Sequence, residues 1–259
     1  MAESSLSLGF VELMNAVCRY LGYGPDYTDT ALDDGRELTV NGIMQTGLRQ
    51  FYFPPADVRS GKVHEWSFLE TSATLDTTAN DEDQDLGEDF GSLVGPFIYD
   101  DTSEGCRRIY TYPDSTIRHK RMYETSTGYP TMCAIRPLAA TGAAGQRYEV
   151  LWYPTPDAAY TLNYKYVVLK NILSTTYPYP LGGMEHAETV KASCLAAAEI
   201  ERNDEKGIYW DRYMERLQSS IAFDLRREPE QYGQNSDNSD NVRQMLPHEQ
   251  SYTVTFEGS

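Results

Sequence analysis

Catalysis and metal binding require side chains that attack, move protons or coordinate, and this sequence holds few of them at useful spacing. The histidines are His64, His119, His186 and His248. None has a second histidine three or four residues on, so no helix face offers a paired imidazole site. His186 stands in Glu185-His186-Ala187-Glu188, near an expected helix start, and reads as a capping or interface histidine in preference to a metal ligand. The run Asp81-Glu82-Asp83-Gln84-Asp85 supplies the carboxylates of a calcium loop. Its sixth position is Leu86, where the sharp turn needs glycine, and its twelfth is Ser92, where a bidentate glutamate belongs. A solvated acidic loop fits better. No GxxxxGK[ST] or GxGxxG phosphate loop and no GxSxG elbow is present, and Gly182-Gly183 reads as a helix-entry turn. No catalytic residue, metal or cofactor is assigned, and the expectation is a protein that is not an enzyme.

The remaining reactive groups are thiols and cations. Cys18, Cys106, Cys133 and Cys194 are far apart with no CxxC pair, and read as reduced, mostly buried thiols made in a cytoplasm. Met1 to Gly9 lacks the basic and apolar regions of a leader, and no apolar run approaches the roughly 18–20 residues that span a bilayer. The net charge is −17, from 22 basic and 39 acidic residues. Such a chain does not wrap nucleic acid through its average surface, since phosphate binding needs clustered Lys and Arg. One cluster exists: Arg107, Arg108, Arg118, His119, Lys120 and Arg121. It reads either as charge-balancing surface or as a partner-binding basic patch, for an acidic protein in preference to DNA. The 20 tyrosines, against 8 Phe and 3 Trp, suit either a β-rich core with half-exposed strands or a large, partly wet interface.

These groups are positioned by an α+β plan. Phe10, Leu13, Met14, Val17 and Leu21 recur at helical spacing after Ser7, a possible cap, and Gly22, Gly24 and Pro25 stop the run. A second helix is expected from Thr28 or Thr30 toward Phe51, with Leu32, Arg36, Val40, Ile43, Gly47 and Phe51 on one face. Its glycines weaken the helix but permit close approach of another. From His64 to about Lys170 strands dominate: Trp66–Thr77, Leu93–Tyr99, Arg107–Tyr112 and Met132–Pro137, with a short helix over Asp114–Glu124. Tyr148–Tyr153 and Tyr160–Val168 read as a hairpin turning at Pro154, Pro156 and Asp157. Tyr160, Leu162, Tyr164, Tyr166 and Val168 share one face of its second strand. Helices return with Ala187, Val190, Cys194, Leu195 and Ala198, a turn at Asn203-Asp204, and then Trp210, Tyr213, Leu217, Ile221 and Leu225. Arg226 and Arg227 suit the dipole at that end.

The fold class is therefore a discontinuous helical bundle, two N-terminal and two C-terminal helices, with a β-rich central insertion and an extended C-terminal arm. The expected division is 1–55 with 178–229 as bundle, 56–177 as insertion and 230–259 as arm. Gln231 to Asn241 is a polar, turn-rich linker, and Tyr252-Thr253-Val254-Thr255-Phe256 is a strand former beyond it. Such a tethered strand either adds to a sheet edge in another subunit or returns to its own β-domain.

Several segments carry a family resemblance. Gly47-Leu48-Arg49-Gln50-Phe51-Tyr52 precedes Pro54 and is followed by His64-Glu65-Trp66-Ser67-Phe68-Leu69. Then come Gly145-Gln146-Arg147-Tyr148-Glu149, Trp152, Pro154-Thr155-Pro156-Asp157-Ala158-Ala159-Tyr160-Thr161-Leu162, Tyr177-Pro178-Tyr179-Pro180-Leu181-Gly182-Gly183 and His186-Ala187-Glu188. In these, and in segment order from about Ser7 to Gly233, the chain resembles the head-to-tail adaptor (connector) proteins of tailed bacteriophages. The resemblance implies a virion structural protein at the portal–tail junction. Copies would form a ring, usually of twelve, docked on the portal protein, lengthening the DNA channel and receiving the tail, nozzle or neck proteins. It makes Tyr252, Thr253, Val254, Thr255 and Phe256 a portal-interface strand. Twelve chains at −17 sum to roughly −200, so an acidic channel wall would let genomic DNA slide without specific binding. Alternatives are a tail-side ring or nozzle protein, or a carbohydrate-binding or hydrolytic tail module using the aromatics.

Overall fold

The computed structural model describes residues 4–24, 33–56, 63–100, 108–138 and 145–226. It is α+β, with helices flanking a β-rich middle: α1 Phe10–Leu21, α2 Asp34–Tyr52, β1 Glu70–Asp76, β2 Asp83–Asp85, β3 Phe90–Tyr99, β4 Arg108–Thr111, α3 Asp114–Tyr123, β5 Met132–Leu138, β6 Arg147–Tyr153, β7 Thr161–Val168, α4 Ala187–Asn203 and α5 Ile208–Leu225. Arg107, the expected linker Gln231 to Asn241 and the segment Tyr252–Phe256 lie outside the described residues.

The helices form because their apolar residues line one side. Phe10, Leu13, Met14 and Val17 of α1 are buried as expected. The cap is not Ser7, which is buried before the helix. Gly9 is the N-cap, and its N–H donates to the Glu12 carboxylate at 2.6 Å. α2 begins later than expected, at Asp34, because the Asp33 carboxylate accepts from the Arg36 N–H at 2.9 Å and fixes the first turn there. Val40, Ile43, Gly47 and Phe51 are buried as expected, joined by Met44 and Leu48, while Arg36 is exposed. The small residues of α4 let it sit centrally, in contact with α1, α2 and α5. A Cβ on Gly47 would stand 2.5 Å from the Cys194 Cα, so only glycine permits this α2–α4 crossing. Ser193 Oγ donates to the Gly47 carbonyl at 2.6 Å, sealing the seam. In α5, Tyr213 and Leu217 are buried and Leu225 is exposed.

The seven strands form one sheet in the order β1-β7-β3-β4-β5-β6-β2, antiparallel except for β4 with β5, which α3 connects. Gly95, at φ +81°, marks the irregularity where β3 shifts register against β7 and bends toward β4. Alternation in β7 is as expected: Leu162, Tyr164 and Tyr166 point inward.

Two expectations in this region are corrected. β6 and β7 are strands but not a hairpin; β6 lies between β5 and β2, and β7 between β1 and β3. Their apolar faces line the same core from different walls, with Phe97 between Trp152 at 5.3 Å and Tyr164 at 5.1 Å between ring centroids. The link bonds elsewhere. Thr155 N–H donates to the Ser126 carbonyl, and the Pro156 and Tyr160 carbonyls accept from Asn80 and Thr77. The acidic run is not a loop throughout: Asp83–Asp85 is an edge strand on Glu149–Leu151 of β6. Its carboxylates are balanced by cations, Glu82 by Arg121 at 3.2 Å and Asp83 by Arg136 at 3.1 Å.

Two main cores result. One holds the inner faces of α1, α2, α4 and α5 together with Trp66, Leu69 and Leu173; the other lies within the sheet. Burial of each large side chain in them contributes about 1.5–3 kcal/mol. Trp66 and Leu173 sit where the chain leaves the helices and where it returns.

Candidate assembly surface

The basic cluster is built around α3. Ile117 buries that helix against Ala134, Leu151 and Tyr153 on the outer face of β5 and β6. Asp114 in the first turn and Lys120 and Arg121 in the last suit the helix dipole. The cations then part company. Arg121 turns inward, and its guanidinium donates to the Glu82 and Trp152 carbonyls at 2.5 and 2.7 Å, clamping α3 to β2 and β6. Arg118 pairs along the helix with Asp114 at 3.0 Å. The Lys120 ammonium lies 5.3 Å from the centre of the Tyr153 ring. Arg108 is exposed on β4. Beside them the His119 ring packs tilted against Tyr123, 4.8 Å between centroids, and Met122 and Tyr123 are 83% and 79% exposed. The outward face of α3 is thus a mixed cationic and apolar surface, with fewer available charges than the sequence cluster suggests.

A second apolar surface runs along α2. Gln45 holds the extended chain at Leu173 through both backbone groups, donating to its carbonyl at 2.9 Å and accepting from its N–H at 3.4 Å. This leaves a groove of about 440 Å³ lined by residues including Leu38, Arg49, Tyr52, Lys170 and Ile172. Leu38 and Ile172 are 73% and 66% exposed there.

Chemistry-bearing residues that the sequence did not link meet where helices and sheet join. The Asp224 carboxylate accepts from Ser67 N–H at 3.0 Å and from Ser67 Oγ at 2.6 Å, and His64 Nε2 lies 2.9 Å away. Burial alone would raise the Asp224 carboxyl, but the Ser67 and His64 hydrogen bonds outweigh it and hold it below the usual carboxylate range. These are the residue types of a hydrolase triad in another order. There the histidine stands between serine and aspartate to take the hydroxyl proton. Here both groups bond to the aspartate, which makes the trio a clasp joining α5 to the chain entering β1. His186 occupies the N-cap position of α4, as its place near a helix start suggested, but its side chain makes no cap hydrogen bond. It is 1% exposed, with its ring 5.2 Å from Trp66 and 5.1 Å from Phe68, inside an aromatic cluster that includes Phe51. Trp66 Nε1 donates to the Phe51 carbonyl at 2.9 Å.

A second carboxylate works the same way. Glu199, buried on α4, accepts from the N–H groups of Gly207, Tyr209 and Trp210 at 3.1, 3.0 and 3.0 Å, capping α5 from a neighbouring helix. No sequence signal marks this, since the cap lies outside the local N-cap pattern.

Among the described residues no group of three or more His, Cys, Asp or Glu is placed to hold a metal ion, and no helix is long and apolar enough to cross a membrane. The buried polar groups fasten elements together, and the outward faces carry apolar and charged contact surface. A family model described as SU10 adaptor protein matches residues 9–242, and the chain belongs to that family. It is a bacteriophage adaptor-type structural protein, a virion component that acts through other virion proteins. Among curated proteins, none matches the chain.

Proposed function

We propose that this protein is the head-to-tail adaptor of a tailed phage: it forms a ring, of twelve copies, docks on the portal protein, extends the DNA channel and receives the tail, nozzle or neck proteins. The observation that carries this reading is the adaptor-family match, which spans helices and sheet alike. The architecture supports it. A helical part closed by a glycine–cysteine seam suits a rigid ring body, and the separate sheet core suits a projecting module. On this reading 1–55 with 178–229 is the ring body, 56–177 the tail-side module and 230–259 the arm. Residues Tyr252–Phe256 engage the portal. Arg108, Lys120 and the apolar tip of α3 meet an acidic partner, with Arg107 beside them in sequence. The net charge of −17 gives a channel wall that DNA passes without gripping.

The test is mass photometry of the protein mixed with the portal protein of the same phage. A discrete complex with the mass of portal plus a ring of this chain is expected. A mixture that shows only the separate components would overturn the proposal. A channel-lining surface in the assembled ring that lacked acidic residues would remove the sliding role while leaving the adaptor role.

A further inference from the structure

Among the described residues the sheet ends on β1, with no strand on its outer side. Thr77 N–H donates to the Tyr160 carbonyl, continuing the register in which Ala73 faces Tyr164 and Leu75 faces Leu162. In an antiparallel ladder alternate residues bond to the same neighbour. The backbone groups of Thr71, Ala73 and Leu75 therefore face β7, while those of Ser72 and Thr74 face away. The Asp76 carbonyl on the outer side accepts from the Gln84 side chain at 2.5 Å, and the Glu70 N–H donates to the Ser67 carbonyl. Among the described residues no strand pairs with Ser72 or Thr74. The other edge, β2, is three residues long and acidic, which protects it from added strands. β1 is seven residues long, spans about 23 Å, and carries neither lysine nor proline.

We infer that this edge is the seat of the chain's own segment Tyr252–Phe256. The faces match. Ala73 and Leu75 point toward the sheet core and are only partly covered, whereas Ser72 and Thr74 expose hydroxyls on the other face. An added strand would continue the apolar face with Tyr252, Val254 and Phe256. It would set Thr253 and Thr255 beside Ser72 and Thr74, a favourable cross-strand pairing. The reach also matches. Asp224, two residues before Arg226, is bonded to Ser67, three residues before β1 begins. The sequence from 227 to 251 therefore starts at the foot of the acceptor strand. A coil of about 25 residues has a root-mean-square span of about 25–30 Å, close to the length of β1. Such a match gives an effective concentration in the millimolar range, far above the micromolar concentration of a second copy. On the adaptor reading, the residues that reach for the portal are held on their own subunit until it arrives.

Amide-resolved hydrogen exchange on the full-length protein tests this, at concentrations where mass photometry shows monomer. The comparison is with the double variant Thr253→Pro, Val254→Pro, which removes a ladder N–H in either register. Exchange at Ser72 and Thr74 is expected to be at least tenfold slower in the wild type than in the variant. Ala73 and Leu75, bonded to β7, report that the sheet is intact and should not differ. A synthetic 251–257 peptide added to the variant at millimolar concentration is expected to restore protection of Ser72 and Thr74. Equal exchange of Ser72 and Thr74 in both proteins would overturn the inference. So would protection that rises with protein concentration, which would mean pairing with a second copy. Portal binding of the same variant is scored separately: a variant that loses the portal while its Ser72 and Thr74 exchange is unchanged sinks the inference and leaves the adaptor function standing.

Discussion

Single side chains here act mainly as fasteners, and two kinds can be tested. Asp224 is held in its charged form, with its carboxyl below the usual range. Its contribution to stability is present above the unfolded-state value near 3.9 and is lost as pH falls through the lower folded-state value. Replacing Asp224 with Asn should lower unfolding free energy at neutral pH by about 1–3 kcal/mol. The gap between wild type and variant should narrow as the pH is taken from about 5 toward 2, as read by urea denaturation. The thiols behave in the opposite sense. Burial pushes Cys133 up to about 11 and Cys194 up to about 12, and raises Cys18. Since the thiolate is the reactive form, these three should resist a thiol reagent such as Ellman's at pH 8 until denaturant is added. Rapid labelling of any of them in the native protein, mapped by peptide mass, would contradict their placement. Of the tyrosines, Tyr99, Tyr164, Tyr166 and Tyr213 lie in cores, while Tyr123 and Tyr177 are outward.

At the scale of elements, the closest fit is the α2–α4 crossing. Gly47→Ala drives a methyl into the backbone of Cys194 and should cost about 3 kcal/mol or more. That would read as a fall in thermal midpoint, whereas Gly42→Ala on the open side of α2 should not lower it. Glu199→Gln leaves the same shape but removes the charge from the α5 N-terminus, and should cost about 1–2 kcal/mol by denaturant titration. How far these elements could be read from sequence follows from the range of each signal. The stripes of α1, α4 and α5 repeat within one element, so Phe10, Val190 and Tyr213 marked their helices. The start of α2 lies later than expected because Thr28 and Thr30 can also cap a helix, and Asp33, the stronger cap, is the one the fold uses. The β6–β7 hairpin failed because strand pairing is non-local: Pro154 and Asp157 look like a tight turn whichever neighbours the strands later choose. Glu199 and Asp224 were invisible as fasteners because their partners come together only in the folded chain, in the case of Asp224 from the far side of the insertion. The basic cluster was visible as composition, yet the sequence could not show Arg121 turning inward to carbonyls of β2 and β6.

For the whole molecule, the two parts differ in how their contacts are distributed along the chain. Fold class and the order helix, sheet, helix follow from local periodicity and were legible. The partner-facing roles proposed for α3 and for residues 252–256 depend on other molecules, so no single chain spells them out. The interrupted bundle also bears on time. α2 ends at Tyr52 and its main packing partner begins at Ala187, roughly 130 residues later. At about 5–20 residues per second of synthesis, the apolar faces of α1 and α2 wait on the order of 7–26 s for α4 to emerge. During that interval the sheet can complete its own core, whereas the two leading helices are an exposed hydrophobic surface. The nascent chain thus exposes its unpaired apolar surface at its beginning rather than in its aromatic middle, and the bundle is the part that closes last.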